Sequence, residues 1–242
     1  MHVFADDPAQ RFVILDGRRH AEGATPVDGV VIREIRRDGL VLAYQLWLFA
    51  HVWWWVEHNP SRSAFMSTRL AVLREDDPEA ELHHRWVPYE RISIHLKRAV
   101  MAAEDSRFTD HEGFDWEGIQ RALEKNERRG RPVSGGSTIS QQLAKNLFLW
   151  SGRSYLRKGL EAWYTFWIEL LWSKRRILEV YVNVVEFGDG VYGAEAAAQR
   201  YFGKPAARLS RSEAAHLAAV LPSPRKYSAR KPGPYVQRRA RA

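Results

Sequence analysis

Apolar residues are spaced differently in three parts of the chain. Residues 1–38 are polar and charged, and their mixed stretches at 11–15 and 27–35 form either short strands or no regular element. Residues 40–56 then read LVLAYQLWLFAHVWWWV, an apolar run of 17 residues. After Pro88, apolar positions recur every three or four residues, which is the period of helices buried along one side.

That period predicts a mainly α-helical domain over residues 89–242. No strand-like alternation of comparable strength follows Pro88. Residues 58–88 are predicted to be a connector, because Asn59-Pro60 and Glu75-Asp76-Asp77-Pro78 are typical of turns. The clearest helical faces are formed by Ile92, Leu96, Ala99 and Val100, by Ile177, Val180, Tyr181 and Val184, and by Ala214, Leu217, Ala218 and Leu221.

Residues 39–57 are predicted to be a single N-terminal transmembrane helix. A helix needs about 17–25 apolar residues to cross a bilayer, so the run is at the short end of that range. Arg33, Arg36 and Arg37 precede it and Trp53–Trp55 end it, as expected for cytoplasmic positive charge and an interfacial aromatic belt. Residues 1–38 would then be a cytoplasmic tail without an assigned function. The alternative is a buried core helix.

Composition narrows the function classes. The chain has 242 residues and no cysteine, which excludes a disulfide scaffold, a Cys-ligated zinc site and a thiol nucleophile. Its net charge of +8 indicates a polyanionic neighbour such as nucleic acid, an anionic membrane or a phosphorylated substrate. No nucleic-acid recognition motif is present in the sequence, so nucleic acid is not expected as a partner.

Glu104 is the first candidate for chemistry. Helical spacing would place Glu104, Phe108 and His111 on one face, directly after the apolar residues 99–103. A carboxylate at the point where a helix leaves the core is a usable general base. The alternative is a helix-terminal glutamate in a salt bridge. The neighbouring Asp105 is expected to point to solvent, cap a turn or orient a partner.

A glycine-rich segment, SGGSTISQQLAKN at residues 134–146, predicts a loop that ends in a helix N-cap at Ser137 or Thr138. Thr138, Gln142 and Lys145 then fall on one helical face, and the free N–H groups of the first turn suit a phosphate or a sugar. The spacing is not that of a nucleotide-binding P-loop. A plain glycine-rich loop before a polar helix remains the alternative.

Arg157 and Lys158 stand four and three residues before Glu161, so the three side chains can converge on one patch and keep the carboxylate ionised. Ordinary helix-stabilising ion pairs are the alternative. An aromatic stretch with Trp163, Trp167 and Trp172 follows, which indicates either a core helix or one whose aromatic side meets lipid.

Together, four segments resemble the successive motifs of the peptidoglycan glycosyltransferases: EDSRFTDHEG, GGSTISQQLAKN, RKGLE and KRRILEVYVN. SEAAHLAAVLPSP is similar to the closing helix of that family. The resemblance extends over about residues 63–235 of this chain. Because no SxxK and KTG motifs follow, the chain resembles the monofunctional biosynthetic form with one membrane anchor.

The resemblance implies a lysozyme-like α-helical fold on the outer face of the cell inner membrane, where the enzyme polymerises lipid II. Glu104 would be the general base, and Glu161 the second catalytic carboxylate at the donor pyrophosphate. The remaining residues that the motifs place at the substrate are Asp105, Phe108, His111, Ser137, Thr138, Gln141, Gln142, Lys145, Asn146, Arg157 and Lys158.

No tightly bound cofactor and no protein metal site are expected, although the substrate pyrophosphate suits Mg²⁺ or Mn²⁺. The implied partners are lipid II, the growing glycan on undecaprenyl pyrophosphate, the membrane and other cell-wall synthases. Two rival functions stay open at this point: a lytic enzyme of the same fold that cleaves glycan, and a scaffold without activity.

Overall fold

The computed structural model describes residues 12–15, 18–21, 37–130, 136–152 and 154–241. The chain divides into two compact units, Met1–Trp54 and Trp55–Ala242. In the first unit, strand β1 (Phe12–Leu15) pairs antiparallel with β2 (Arg18–Ala21), so one of the two mixed stretches forms a strand. The other, at 27–35, lies outside the described residues.

Helix α1 (Arg37–Trp54) covers most of the apolar run at 40–56. Within the part of the chain that the structure describes, no helix combines the length and the apolar character needed to cross a bilayer. The sequence thus predicted the helix correctly, and its crossing of the membrane is not confirmed.

The second unit is mainly helical, as predicted. Its helices are α2 (Ala64–Asp76), α3 (Ile94–Glu104), α4 (Trp116–Arg129), α5 (Ile139–Phe148), α6 (Tyr155–Leu171), α7 (Lys174–Val184), α8 (Ala194–Phe202), α9 (Arg211–Val220) and α10 (Pro234–Arg241). Residues 58–88, expected to be a connector, contain α2, which begins after the N-cap Ser63 and packs against α5.

Three short strands of the second unit were not predicted as strands. β3 (His83–His84), β4 (Glu186–Gly188) and β5 (Val191–Tyr192) form a sheet with β5 in the middle, parallel to β3 and antiparallel to β4. All residues of β4 and β5 are buried. Strands of two or three residues are too short to show an alternating pattern, so periodicity does not detect them.

Helix packing brings the motif segments together. α5 packs against both α6 and α7, and α3 packs against α9. The faces predicted from periodicity are buried, including Ile177, Val180, Tyr181 and Leu217. Burying one large apolar side chain stabilises a fold by about 1.5–3 kcal/mol, so these faces fix the relative positions of the helices that carry the candidate site.

Candidate active site

Glu104 is the last residue of α3, at the point where the helix leaves the core. Its side chain is 10 % exposed. One carboxylate oxygen, Oε2, accepts a hydrogen bond from Gln142 Nε2 at 3.0 Å. The other, Oε1, accepts from Arg239 Nη2 at 2.9 Å. The carboxylate is therefore held at both oxygens, and each oxygen keeps further lone-pair capacity for a proton.

The predicted face of Glu104, Phe108 and His111 does not exist, because α3 ends at Glu104 and the chain turns at residues 106–110. Phe108 is buried instead, with its ring edge-on to His111 and Lys174 Nζ 4.8 Å from its centroid. The chain after Glu104 therefore forms a turn instead of another helical turn. Phe108 packs inside this turn, against His111 and Lys174.

Asp105 is buried and does not point to solvent, one of the orientations expected from the sequence. Its carboxylate accepts from His111 Nε2 at 3.0 Å and from the backbone N–H of Ile139, the first residue of α5, at 2.9 Å. His111 Nδ1 accepts a hydrogen bond from Gly113 N at 3.1 Å. The ring proton is therefore assigned to Nε2, which donates a hydrogen bond to Asp105. A negative charge at a helix N-terminus is favourable, and Asp105 therefore ties the chain after Glu104 to α5.

Thr138 is the N-cap of α5, as the sequence predicted. Its hydroxyl accepts from Gln141 N while Gln141 Oε1 accepts from Thr138 N, which is a capping box. Thr138 Oγ1 also donates to Gly113 O at 2.7 Å. Asn146 Nδ2 donates to Gln142 O at 2.7 Å. Thr138, Gln141 and Asn146 are buried, and these bonds shape α5 and the loops beside it; their contact with the substrate stays a prediction.

Tyr181 completes a chain of hydrogen bonds to Glu104. Its hydroxyl, fully buried on α7, donates to Gln142 Oε1 at 3.0 Å. Burial, with a smaller contribution from the nearby carboxylates Glu104 and Asp105, raises the pKa of Tyr181 well above its ordinary value, so the phenol keeps the proton that it donates to Gln142 Oε1. The Gln142 amide is thereby oriented with its NH₂ toward Glu104.

Glu161 lies at the centre of a cationic cluster. Its carboxylate, 4 % exposed, accepts from Arg157 Nη1 at 2.7 Å and from Lys158 Nζ at 2.5 Å. Lys158, half exposed, also donates to Ser137 Oγ at 3.4 Å, which joins the glycine-rich loop to α6. The convergence predicted from the spacing is therefore present, and Ser137 belongs to it.

Lys145 lies within electrostatic range of both ends of the site. Its pKa is lowered chiefly by burial and also by Arg157 and Lys158, while Glu161 and Glu104 oppose this shift. Its ammonium lies 5.8 Å from the ring centroid of Phe65, and no hydrogen bond or ion pair to it is found in the described residues. Arg157 and Lys158 share the single carboxylate of Glu161, and Lys145 adds a third cation without an ion pair among the described residues, which leaves positive charge for an anion.

A second set of bonds braces the loop that follows Glu104. Lys174 on α7 donates to His111 O and, at 2.9 Å, to Glu169 on α6, and Glu169 accepts from Ser140 on α5. The three helices thereby hold the turn between residues 105 and 113. Among the residues that the structure describes, no three His, Asp or Glu side chains are grouped to hold a metal ion.

Two residues at the site were not singled out from the sequence. Tyr181 looked like a core position of an amphipathic helix, which it also is. Arg239 lies 135 residues after Glu104, outside every segment that the sequence singled out. Neither has a local signal, since both reach Glu104 only through the packing of α7 against α5 and of α10 against α9.

Comparison with known proteins shows what the chain is similar to. A family model described as Transglycosylase matches residues 71–242. A biosynthetic peptidoglycan transglycosylase of Azoarcus sp. (strain BH72) is 70% identical over 188 residues, which cover 78% of this chain and 81% of that protein. Its namesakes in Aromatoleum aromaticum and Thiobacillus denitrificans are 63% and 60% identical, covering 78% and 83% of this chain and 82% and 86% of their own lengths.

A different family model, described as Type II secretion system protein B, matches residues 1–50. This range contains the β1–β2 pair and ends close to the boundary between the two compact units. The two family models therefore divide the chain much as the compact units do, and the apolar run at 40–56 lies across the division.

The transglycosylase match covers most of the chain and the relatives are highly identical over most of their own lengths. The chain therefore belongs to the transglycosylase family and is a peptidoglycan transglycosylase, which is a glycosyltransferase.

Proposed function

We propose that this enzyme polymerises lipid II into glycan strands, with the growing strand on undecaprenyl pyrophosphate as donor and the next lipid II as acceptor. The observation that carries the proposal is that α5 and the loop before it contact two different sites, through Gln142 and Ser137. One is the carboxylate of Glu104, and the other is the cluster of Arg157, Lys158 and Glu161. A substrate with a hydroxyl to be deprotonated and a pyrophosphate to be released needs both.

Glu104 is the general base. It takes the proton of the acceptor GlcNAc 4-hydroxyl as that oxygen attacks C1 of the donor MurNAc, and the configuration inverts to give a β-1,4 bond. The hydrogen bonds from Gln142 and Arg239 support this role because they fix the carboxylate in place. Positioned general bases contribute about 10²–10⁴-fold to a rate.

The cationic cluster stabilises the leaving group. As the C1–O bond breaks, its electron pair goes to the pyrophosphate, and Lys145, Arg157 and Lys158 stabilise the charge that develops there. Glu161 is too deeply buried beneath its two cations to reach a substrate hydroxyl, so its part is to orient Arg157 and Lys158. Ser137, bonded to Lys158, lies close enough to contact the same anion.

No resident cofactor enters this mechanism. A Mg²⁺ or Mn²⁺ ion would arrive as a companion of the substrate pyrophosphate, because the cluster offers cationic and amide groups rather than a set of free carboxylates. Lys145, Arg157 and Lys158 provide the same kind of charge neutralisation directly.

Because the proposed substrate is lipid-linked, the enzyme acts at the surface of the cell inner membrane, with the catalytic unit on the periplasmic side. Exposed apolar and aromatic side chains on α6 support membrane contact, and they include Tyr155, Leu156, Trp163, Phe166 and Leu170. Exposed Trp47, Trp53 and Trp54 on α1 support it for the first unit.

Alkaline carbonate extraction of membranes tests the predicted single-pass anchor, which would keep the protein in the pellet. Other cell-wall synthases as partners stay a prediction.

The direct experiment is incubation of detergent-solubilised protein with labelled lipid II. Polymeric glycan that forms and is blocked by the phosphoglycolipid moenomycin supports the proposal. A lytic enzyme would instead leave lipid II unchanged and release fragments from finished peptidoglycan, and a scaffold would do neither.

A DNA mobility-shift assay at physiological salt should show no binding, because the positive charge is assigned to a lipid pyrophosphate.

A further inference from the structure

The C-terminal helix α10 reaches the residue to which we assign base catalysis. Arg239 Nη2 donates to Glu104 Oε1 and to the backbone carbonyl of Ala103, each at 2.9 Å. α10 packs on α9, and α9 packs on α3. The helix farthest along the chain is thereby joined to the end of α3.

We propose that Arg239 is a positioning residue for the glycosyl transfer: it holds the Glu104 carboxylate in the orientation that receives the proton of the acceptor hydroxyl. This inference rests on the proposed role of Glu104 as general base. None of the four motif segments contains Arg239.

Arg239 contacts the backbone of α3 at Ala103 as well as the Glu104 side chain. The last carbonyls of a helix have no partner within it, and a cation near them is favourable. One guanidinium nitrogen therefore fixes the Glu104 side chain relative to the end of its own helix. Gln142 from α5 holds the other oxygen, so rotation of the carboxylate is opposed from two elements.

Packing alone does not account for an arginine at this place. The Nε of Arg239 is buried without a hydrogen-bond partner among the described residues, although the side chain as a whole is 31 % exposed. Leaving a buried donor unpaired costs about 1–3 kcal/mol. α10 is already anchored by the fully buried Val236, so the guanidinium is best explained by what it does to Glu104.

The test compares Arg239→Ala and Arg239→Lys with Arg238→Ala, an exposed neighbour that serves as the matched control. We expect R239A to lower kcat for lipid II polymerisation roughly 10–100-fold, with little change in KM, because a misplaced base slows the chemical step rather than binding. R239K should recover most of the rate, since an ammonium can donate to the same oxygen. R238A should behave as the unchanged enzyme.

Chemical rescue separates positioning from a merely structural role. Arg239 lines a cavity of about 620 Å³ between α3, α9 and α10, whose walls also include Ala102 and Ala219. A free guanidinium ion should enter the space vacated in R239A and raise kcat in a saturable manner. R238A should show no such response, and the Tm of R239A should not change on adding the low guanidinium concentrations used.

A wild-type kcat in R239A overturns the inference. So does a loss of activity that follows the fall in Tm and responds to neither R239K nor guanidinium. Glu104→Gln distinguishes this failure from that of the proposed function. If E104Q is inactive and R239A is normal, only the positioning role falls, whereas an active E104Q removes the base itself.

Discussion

Gln142 donates to Glu104 at 3.0 Å and joins the middle of α5 to the last residue of α3. Its other amide atom accepts from Tyr181, so one side chain connects the buried core to the candidate base. The sequence predicted that Gln142 holds sugar or phosphate, which stays a prediction. The contact found in the structure is with the carboxylate.

Tyr181→Phe should separate the hydrogen bond from the packing of the ring. Removing the hydroxyl leaves Gln142 Oε1 without its donor, and the amide becomes free to turn away from Glu104. We expect a loss of about 1–2 kcal/mol in the free energy of unfolding and a severalfold lower kcat. Denaturant titration and lipid II turnover measure the two effects.

Tyr155→Phe is the matched control, because Tyr155 is 99 % exposed. It should leave both quantities unchanged. If Y181F keeps the full kcat while losing stability, the hydrogen-bond chain to Glu104 has no part in catalysis.

The neutral form of His111 should carry its proton on Nε2. This follows because Gly113 donates to Nδ1 while Asp105 accepts from Nε2. Long-range ¹H–¹⁵N correlation spectra distinguish the two tautomers directly. Asp105→Asn should lower the free energy of unfolding by about 1–3 kcal/mol, since an amide NH₂ would face one of the two donors. A proton found on Nδ1 would contradict the arrangement.

Sequence patterns anticipated the parts of the site that depend on local spacing. The cluster of Arg157, Lys158 and Glu161 lies within one turn of one helix, and Thr138 is a local N-cap; both are present. Periodicity misplaced Phe108, because it cannot register that α3 stops at Glu104. The turn is instead specified by tertiary bonds, among them that of Asp105 to α5.

The pairing of Arg239 with Glu104 could not be predicted from sequence patterns. It spans 135 residues and depends on how α10 packs on α9, which no window of the sequence contains. Residues 1–38, whose polar composition indicated no function, lie within the range 1–50 that matches a second family model. Spacing rules detect neighbours on one element and miss contacts made by the fold.

Glu161→Gln should impair polymerisation at least about 100-fold. A neutral amide cannot accept from both Arg157 and Lys158 as strongly as a carboxylate, so the cations lose their common orientation and a buried charge loses its partner. Single-turnover rates with lipid II measure the effect. Glu124→Gln is the control, because it removes only an exposed ion pair with Arg128 on α4. We expect it to change the free energy of unfolding by no more than about 0.5 kcal/mol and to leave activity unchanged. A mild effect of E161Q would reduce Glu161 to structural support.

Lys145 should determine the alkaline limb of activity. Because burial lowers its pKa below the ordinary 10.5, the free enzyme loses this positive charge at a lower pH than an exposed lysine would. We expect kcat/KM for the anionic donor to fall as the pH rises toward 10.5, since the protonated form is the one that binds. Lys145→Arg keeps its charge and should move the limb to higher pH. An identical limb in K145R would assign the titration to another group.

The central claim, that Glu104 is the base of a lipid II polymerase, is tested most directly by the initial rate of labelled lipid II polymerisation in Glu104→Gln. Glu112→Gln, an exposed glutamate of the same motif segment, is the matched control. We predict that E104Q loses essentially all polymerisation, about 10²–10⁴-fold or more, while its circular dichroism spectrum and Tm remain close to those of the unchanged enzyme. A folded E104Q that polymerises lipid II at a rate comparable to that of E112Q would contradict the account.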